Sequence, residues 1–219
     1  MSSEQIRQYW DQQADDYDAA PDHGLLDSDV RSGWKDLVRM WLPSRQSLVG
    51  DLACGTGTMS VLIAELGHHV RGIDLSDQMV ARARAKAAPF GAAITVEQGD
   101  AGDPPWEPAS LDVVFARHIL WTLPDPRAAL KRWVDLLRPG GRLILIEGRW
   151  GVEAAGDKPD LPWRAGVPSA ELAEVVRELV GEPTVVQLSD EAYWGRAIEH
   201  ERYLLTAALD EGSVRRTPR

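Results

Sequence analysis

The chain has 219 residues, of which 44% are apolar and 26% charged, and a formal net charge of −10. That length holds one α/β domain with a full core and a cap, and the negative balance opposes a polyanion partner, since nucleic-acid binders display a basic patch. The single cysteine, Cys54, excludes an intrachain disulfide, no run of about 18 apolar residues could span a bilayer, and the first residues lack the apolar core of a signal peptide, so the expectation is a cytoplasmic protein with neither a nucleic-acid nor a membrane partner.

Residues 2–18 read as a helix, with Ile6, Tyr9, Trp10, Ala14 and Tyr17 near helical spacing. Pro21-Asp22-His23-Gly24 breaks it, and a second helix over 25–41 ends before Pro43. These helices form a predicted cap over residues 1–45. From residue 46 strands and helices alternate: strand 47–52, helix 57–66, strand 68–74, helix 77–88 with Ser76 as N-cap, strand 92–98, strand 111–116, helix 125–137 and strand 142–147. Pro139-Gly140-Gly141 stops the helix before that last strand. Such alternation argues for a parallel sheet with helices on both faces.

The tail departs from that pattern. Residues 148–168 read as a loop rich in Gly, Pro and Trp, followed by helix 169–180 with Ser169 capping and by strands 183–189 and 200–208. The connection 190–199 is too short for a helical crossover, so these two strands are predicted as an antiparallel hairpin. The main domain is expected over 46–210, and residues 211–219 as a disordered tail.

The most informative stretch is Asp51-Leu-Ala-Cys-Gly-Thr-Gly-Thr58, where an apolar strand gives way to a helix through a glycine turn. Glycines there let a ligand lie against main-chain N–H groups beside a helix N-terminus. Dinucleotide sites want a third glycine three residues after the second, for close helix–strand packing. Ser60 occupies that position, which counts against a nicotinamide-dependent oxidoreductase.

With these residues the chain resembles the class I S-adenosylmethionine-dependent methyltransferases, from about residue 9 to 208. The turn, with Asp51, Ala53, Cys54, Gly55, Thr56 and Gly57, matches that family's first motif, although Ala53 stands where the family usually has glycine. The resemblance implies that Asp74, 17 residues after Gly57, holds the ribose hydroxyls; a carboxylate has the acceptor oxygens for both. It further implies that Asp100 and Ala101 clamp the adenine, that Leu75 and Met79 pack on it, and that Ala116 and Arg117 border the cofactor. An aromatic of the first helix, Tyr9 or Tyr17, would close over the methionine end, with Trp10 beside them. The implied fold is a Rossmann-like seven-stranded sheet, mostly parallel, with the last strand antiparallel.

Methyl transfer from a sulfonium is a direct displacement, so an enzyme mainly aligns the reactants. His118, in the loop after the fourth strand, is the candidate base or substrate-orienting group, because an unperturbed imidazole titrates near working pH. Arg117 suits an anionic group on the substrate. Nine tryptophans are many for this length, and Trp121, Trp150, Trp163 and Trp194 fall toward the expected substrate side, which suits a flat apolar acceptor. No Cys/His spacing suggests zinc, and no carboxylate set resembles a magnesium site, so the expectation is a metal-independent enzyme for a small-molecule acceptor. The competing readings are an NAD(P)-dependent Rossmann oxidoreductase and a non-catalytic partner protein that keeps the cofactor cradle.

Overall fold

The computed structural model describes residues 3–150 and 161–212. Part of the predicted 148–168 loop and most of the predicted 211–219 tail lie outside them. Seven strands are present among the described residues: β1 (Leu48–Leu52), β2 (His69–Asp74), β3 (Ile94–Gln98), β4 (Leu111–Arg117), β5 (Leu137–Gly148), β6 (Thr184–Gln187) and β7 (Arg202–Ala208). They form one sheet in the order β3-β2-β1-β4-β5-β7-β6. β1 to β5 pair in parallel, whereas β7 runs antiparallel to both β5 and β6. The predicted mostly parallel sheet and terminal hairpin are therefore observed.

The helices are α1 (Ser3–Gln13), α2 (Pro21–Gly24), α3 (Ser28–Trp41), α4 (Thr58–Glu65), α5 (Asp77–Ala87), α6 (Pro126–Leu136) and α7 (Ser169–Leu179). Alternation along β4 shows how the sheet is covered. Val113 and Phe115 point into a core with Trp34, Leu62 and Ile63, while Val114 and Ala116 point into a second core with Leu130, Trp133 and Tyr203. Both faces are thus buried, as a parallel sheet requires.

Three local expectations change. The first helix ends at Gln13, not residue 18. Asp15, Asp16 and Asp18 would crowd negative charge at a helix C-terminus, where the macrodipole disfavours it. The chain turns instead, and Asp15 and Asp18 pair with Arg82 and Lys86 of α5. The Pro21–Gly24 break closes into a single helical turn, α2, ended by Leu25 in the left-handed region. Ser169 is not the cap of α7: Pro168 holds that position, and the Glu201 carboxylate accepts from both the main-chain N–H and the hydroxyl of Ser169. By contrast Ser76 caps α5 as predicted, accepting from the Met79 N–H at 3.1 Å.

Candidate active site

The β1–α4 turn is built from three residues with positive φ: Ala53 at 55°, Gly55 at 54° and Gly57 at 80°. Each glycine has a different reason. Gly55 faces the cleft, and a Cβ there would meet the Tyr17 ring at 3.6 Å. Gly57 faces away, and a Cβ there would press on the backbone of Ala83 at 3.0 Å, so it serves the approach of α5 to the turn. Ser60, which stands where a dinucleotide site has its third glycine, donates its hydroxyl to the buried Asp51 carboxylate. Burial raises the Asp51 carboxyl to about 6.

Asp74 ends β2 beside this turn. Its Oδ2 accepts from the Gly55 N–H at 2.8 Å and its Oδ1 from the Ser76 N–H at 2.9 Å. The carboxylate is 8% exposed, and burial raises it to about 6. Both oxygens are oriented by main chain while each keeps acceptor capacity. Asp100, after β3, accepts from the Gly102 N–H at 2.7 Å and is otherwise open to the cleft.

These residues border a cleft of about 760 Å³ at the C-terminal edge of the parallel strands, the edge at which such sheets bind ligands. Ala53, Gly55, Asp74, Leu75, Met79, Asp100, Ala101, Arg117 and His118 all line it, as do Trp10 and Tyr17 from the N-terminal segment. A smaller neighbouring cavity of about 300 Å³ is bordered by Asp51, Cys54, Thr56, His23, Tyr17 and Arg117. Other expected residues lie elsewhere. Tyr9 is 37% exposed and packs edge-on against Trp10, away from the cleft; one position further along a helix is a rotation of about 100°, and Trp10 takes the inward place. Ala116 is buried in the core behind the site. Thr56 borders only the smaller cavity, and its hydroxyl donates to Asp18 at 2.6 Å. The Cys54 thiol is buried, and that burial pushes it well above its ordinary value, so it is no nucleophile.

The N-terminal segment and the loop after β4 bring aromatic rings to these cavities. Tyr17 stacks on His23 with ring centroids 4.3 Å apart, and Trp10 meets both Tyr17 and Trp121 edge-on. His118 has φ of 59°, packs edge-on to Trp150 at 4.6 Å and stacks on Trp194 at 5.9 Å. Burial and the nearby Arg117 hold its imidazole well below the ordinary value, so it is neutral at working pH. Its Nε2 is buried without a hydrogen-bond partner. Arg117 donates to the Asp22 carbonyl at 2.6 Å, tying the end of β4 to α2.

Two features escaped the sequence. Glu147, fully buried at the end of β5, accepts from the Ile119 and Leu120 N–H groups at 2.9 and 3.0 Å and fixes the loop that carries His118. Burial raises its carboxyl to about 7. A charged residue closing the apolar run Leu143–Ile146 was the available signal. The second is the meeting of Asp22 and His23 with His118, residues nearly a hundred positions apart, whose ligand atoms lie within 4.8 Å of one another.

A methyltransferase-domain family matches residues 50–145. The chain is 33% identical over 144 residues to the ubiquinone biosynthesis O-methyltransferase of Cupriavidus pinatubonensis, covering 65% of this chain and 55% of that one. It is 35% identical over 146 residues to the 27-O-demethylrifamycin SV methyltransferase of Amycolatopsis mediterranei, covering 65% and 49%. The chain thus spans about half the length of these curated relatives. A solved geranyl diphosphate methyltransferase in complex with its diphosphate and sinefungin superposes with a TM-score of 0.61 at 17% identity, covering 81% of this chain and 77% of that one. The [4+2]-cyclase SpnF superposes with a TM-score of 0.66 at 20% identity, covering 82% of each chain. At these identities the structures show the shared fold.

Proposed function

Since the chain belongs to the class I S-adenosylmethionine-dependent methyltransferases, we propose that it moves a methyl group from S-adenosylmethionine to an oxygen of a small, flat acceptor. The observation that carries the reading is Asp74, buried at the end of β2 with both oxygens aimed by the Gly55 and Ser76 N–H groups. The residues fit the cofactor. Asp74 would take the ribose hydroxyls, Asp100 the adenine amino group, Leu75 and Met79 the adenine face, and the bare edge of Gly55 the methionine end beside Tyr17.

The cofactor supplies a methyl group on a sulfonium. The acceptor oxygen forms the new bond to carbon as the carbon–sulfur bond breaks, its electron pair stays on sulfur, and the hydroxyl proton leaves to solvent or a base. The protein's share is alignment and exclusion of water. Trp10, Tyr17 and the ring of His118 supply flat walls for the acceptor. The reading of an oxygen acceptor is supported by the two relatives, whose names describe O-methylation or a methyltransferase acting on a 27-O-demethyl compound. A buried, neutral His118 is a weak base, which suits orientation of an acidic hydroxyl better than deprotonation of an alcohol.

The test is incubation with S-adenosylmethionine and a panel of phenols, hydroxyquinones, amines and alcohols, reading S-adenosylhomocysteine and product mass. Acceptor-dependent turnover confined to aromatic hydroxyls is expected. Turnover only with amines would contradict the oxygen assignment, and binding without turnover on any acceptor would favour a non-catalytic role.

A further inference from the structure

We propose that Asp22, His23 and His118 form a binding site for a divalent transition-metal ion of the zinc or cobalt type, at the acceptor end of the cleft. The site stands on its own donor geometry, whether or not the chain transfers methyl groups.

The argument begins with unpaired acceptors. His23 Nδ1 lies 3.2 Å from the Tyr17 carbonyl, so in the neutral ring that nitrogen carries the proton and Nε2 carries the lone pair. That Nε2 lies 3.7 Å from Asp22 Oδ2. Asp22 is 5% exposed, and its Oδ1 is buried without a partner. His118, the third residue of the group, likewise has a buried ring nitrogen, Nε2, without a partner. Three ligand atoms from two distant segments converge within 4.8 Å of one another, and two of the residues keep a buried polar atom unsatisfied. Buried unpaired polar atoms are costly, and a buried carboxylate more so.

Arg202 acts on Asp22 through space, yet no cation among the described residues donates a hydrogen bond to the buried Asp22 Oδ1. Arg117 spends a guanidinium N–H on the Asp22 carbonyl and stacks on Trp34. Arg202 lies over Trp150 and Trp194 and donates to the Arg149 and Glu201 carbonyls.

Two imidazole nitrogens and one carboxylate are a donor set for zinc, cobalt or ferrous iron, and a poor one for magnesium or calcium, which prefer oxygen. Bond lengths near 2.0–2.1 Å place tetrahedral donors about 3.3 Å apart. The three ligand atoms, now within 4.8 Å of one another, would draw together to that spacing on binding. His23 borders the smaller cavity and His118 the larger one, so the remaining coordination positions open on the space where an acceptor oxygen would lie. Three protein ligands with an open position is the arrangement of catalytic, not structural, sites. An outer-shell partner is present for one ring, since the Tyr17 carbonyl orients His23, and the Trp150 and Trp194 rings pack against His118.

The test uses the full chain stripped with a chelator, then titrated with Zn²⁺ and Co²⁺ by calorimetry and absorption, with Mg²⁺ for comparison. One equivalent of Zn²⁺ or Co²⁺ is expected, with visible Co²⁺ bands of a low-coordinate nitrogen-containing site and no comparable Mg²⁺ binding. His23→Gln, on a half-exposed ring, and Asp22→Asn should each weaken binding at least tenfold while thermal unfolding in chelator stays cooperative; His118→Ala should do the same. S-adenosylhomocysteine affinity, read on the same samples, separates failure of this site from failure of the cofactor reading. No stoichiometric metal binding, or binding that survives all three substitutions, overturns the proposal.

Discussion

At Ala53 the backbone sits at φ of 55°, where an L side chain carries a cost of about 1–2 kcal/mol that glycine avoids. Ala53→Gly relieves that strain but adds unfolded-chain entropy, so the net expectation is a gain of up to about 1 kcal/mol in urea unfolding. A loss of stability would mean that the Ala53 methyl packs usefully in the cleft wall. Asp74 carries the opposite burden, since its oxygens serve the turn and, in the function proposed above, the ribose as well. Asp74→Ala is expected to lose about 1–3 kcal/mol of S-adenosylhomocysteine affinity by calorimetry, with melting followed to confirm folding. In the unaltered protein the same affinity should weaken as pH falls through about 6, where the raised Asp74 carboxyl takes up a proton and loses acceptor capacity.

The N-terminal segment is held over the cleft by polar clamps on α5, not by a large apolar face. Asp11 accepts from the Ser76 hydroxyl at 2.6 Å, and Asp18 pairs with Lys86 at 2.7 Å while accepting from Thr56. Since Trp10 and Tyr17 reach the cleft from this segment, loosening a clamp should loosen the ligand. Asp18→Ala is expected to weaken S-adenosylhomocysteine binding about fivefold, the ~1 kcal/mol of a half-buried pair, and unchanged affinity would show the segment to be held otherwise. Glu147 fixes the β4–α6 loop. Its folded-state value of about 7 stands above the ordinary carboxyl value. The stability it contributes is therefore whole below the unfolded value near 4.3 and is lost as pH rises through about 7. Glu147→Gln keeps the accepting oxygen without the charge, and is expected to raise the melting temperature at pH 8 and leave it little changed at pH 5. A lower melting temperature at both would contradict this.

For the molecule as a whole, the sheet was legible because its signals are local. Apolar runs bounded by turn residues marked the strands, and the short 190–199 connection marked the hairpin. The proposed cofactor cradle was legible for the same reason, since Gly55, Asp74 and Asp100 each lie at a strand's last residue or within three residues after it. The meeting of Asp22 and His23 with His118 was not. It depends on α2 folding back, and no spacing within either segment encodes that. Burial also altered what residue type suggested: His118 looked like a base tuned to working pH, and its apolar cage removes that tuning. The central claim is that this cradle holds an S-adenosyl group. Calorimetric titration of the full chain with S-adenosylhomocysteine tests it most directly: one site of micromolar-range affinity is predicted, with no heat from NADP. A folded protein that binds neither S-adenosylhomocysteine nor S-adenosylmethionine, or that NADP alone stabilises, would contradict it.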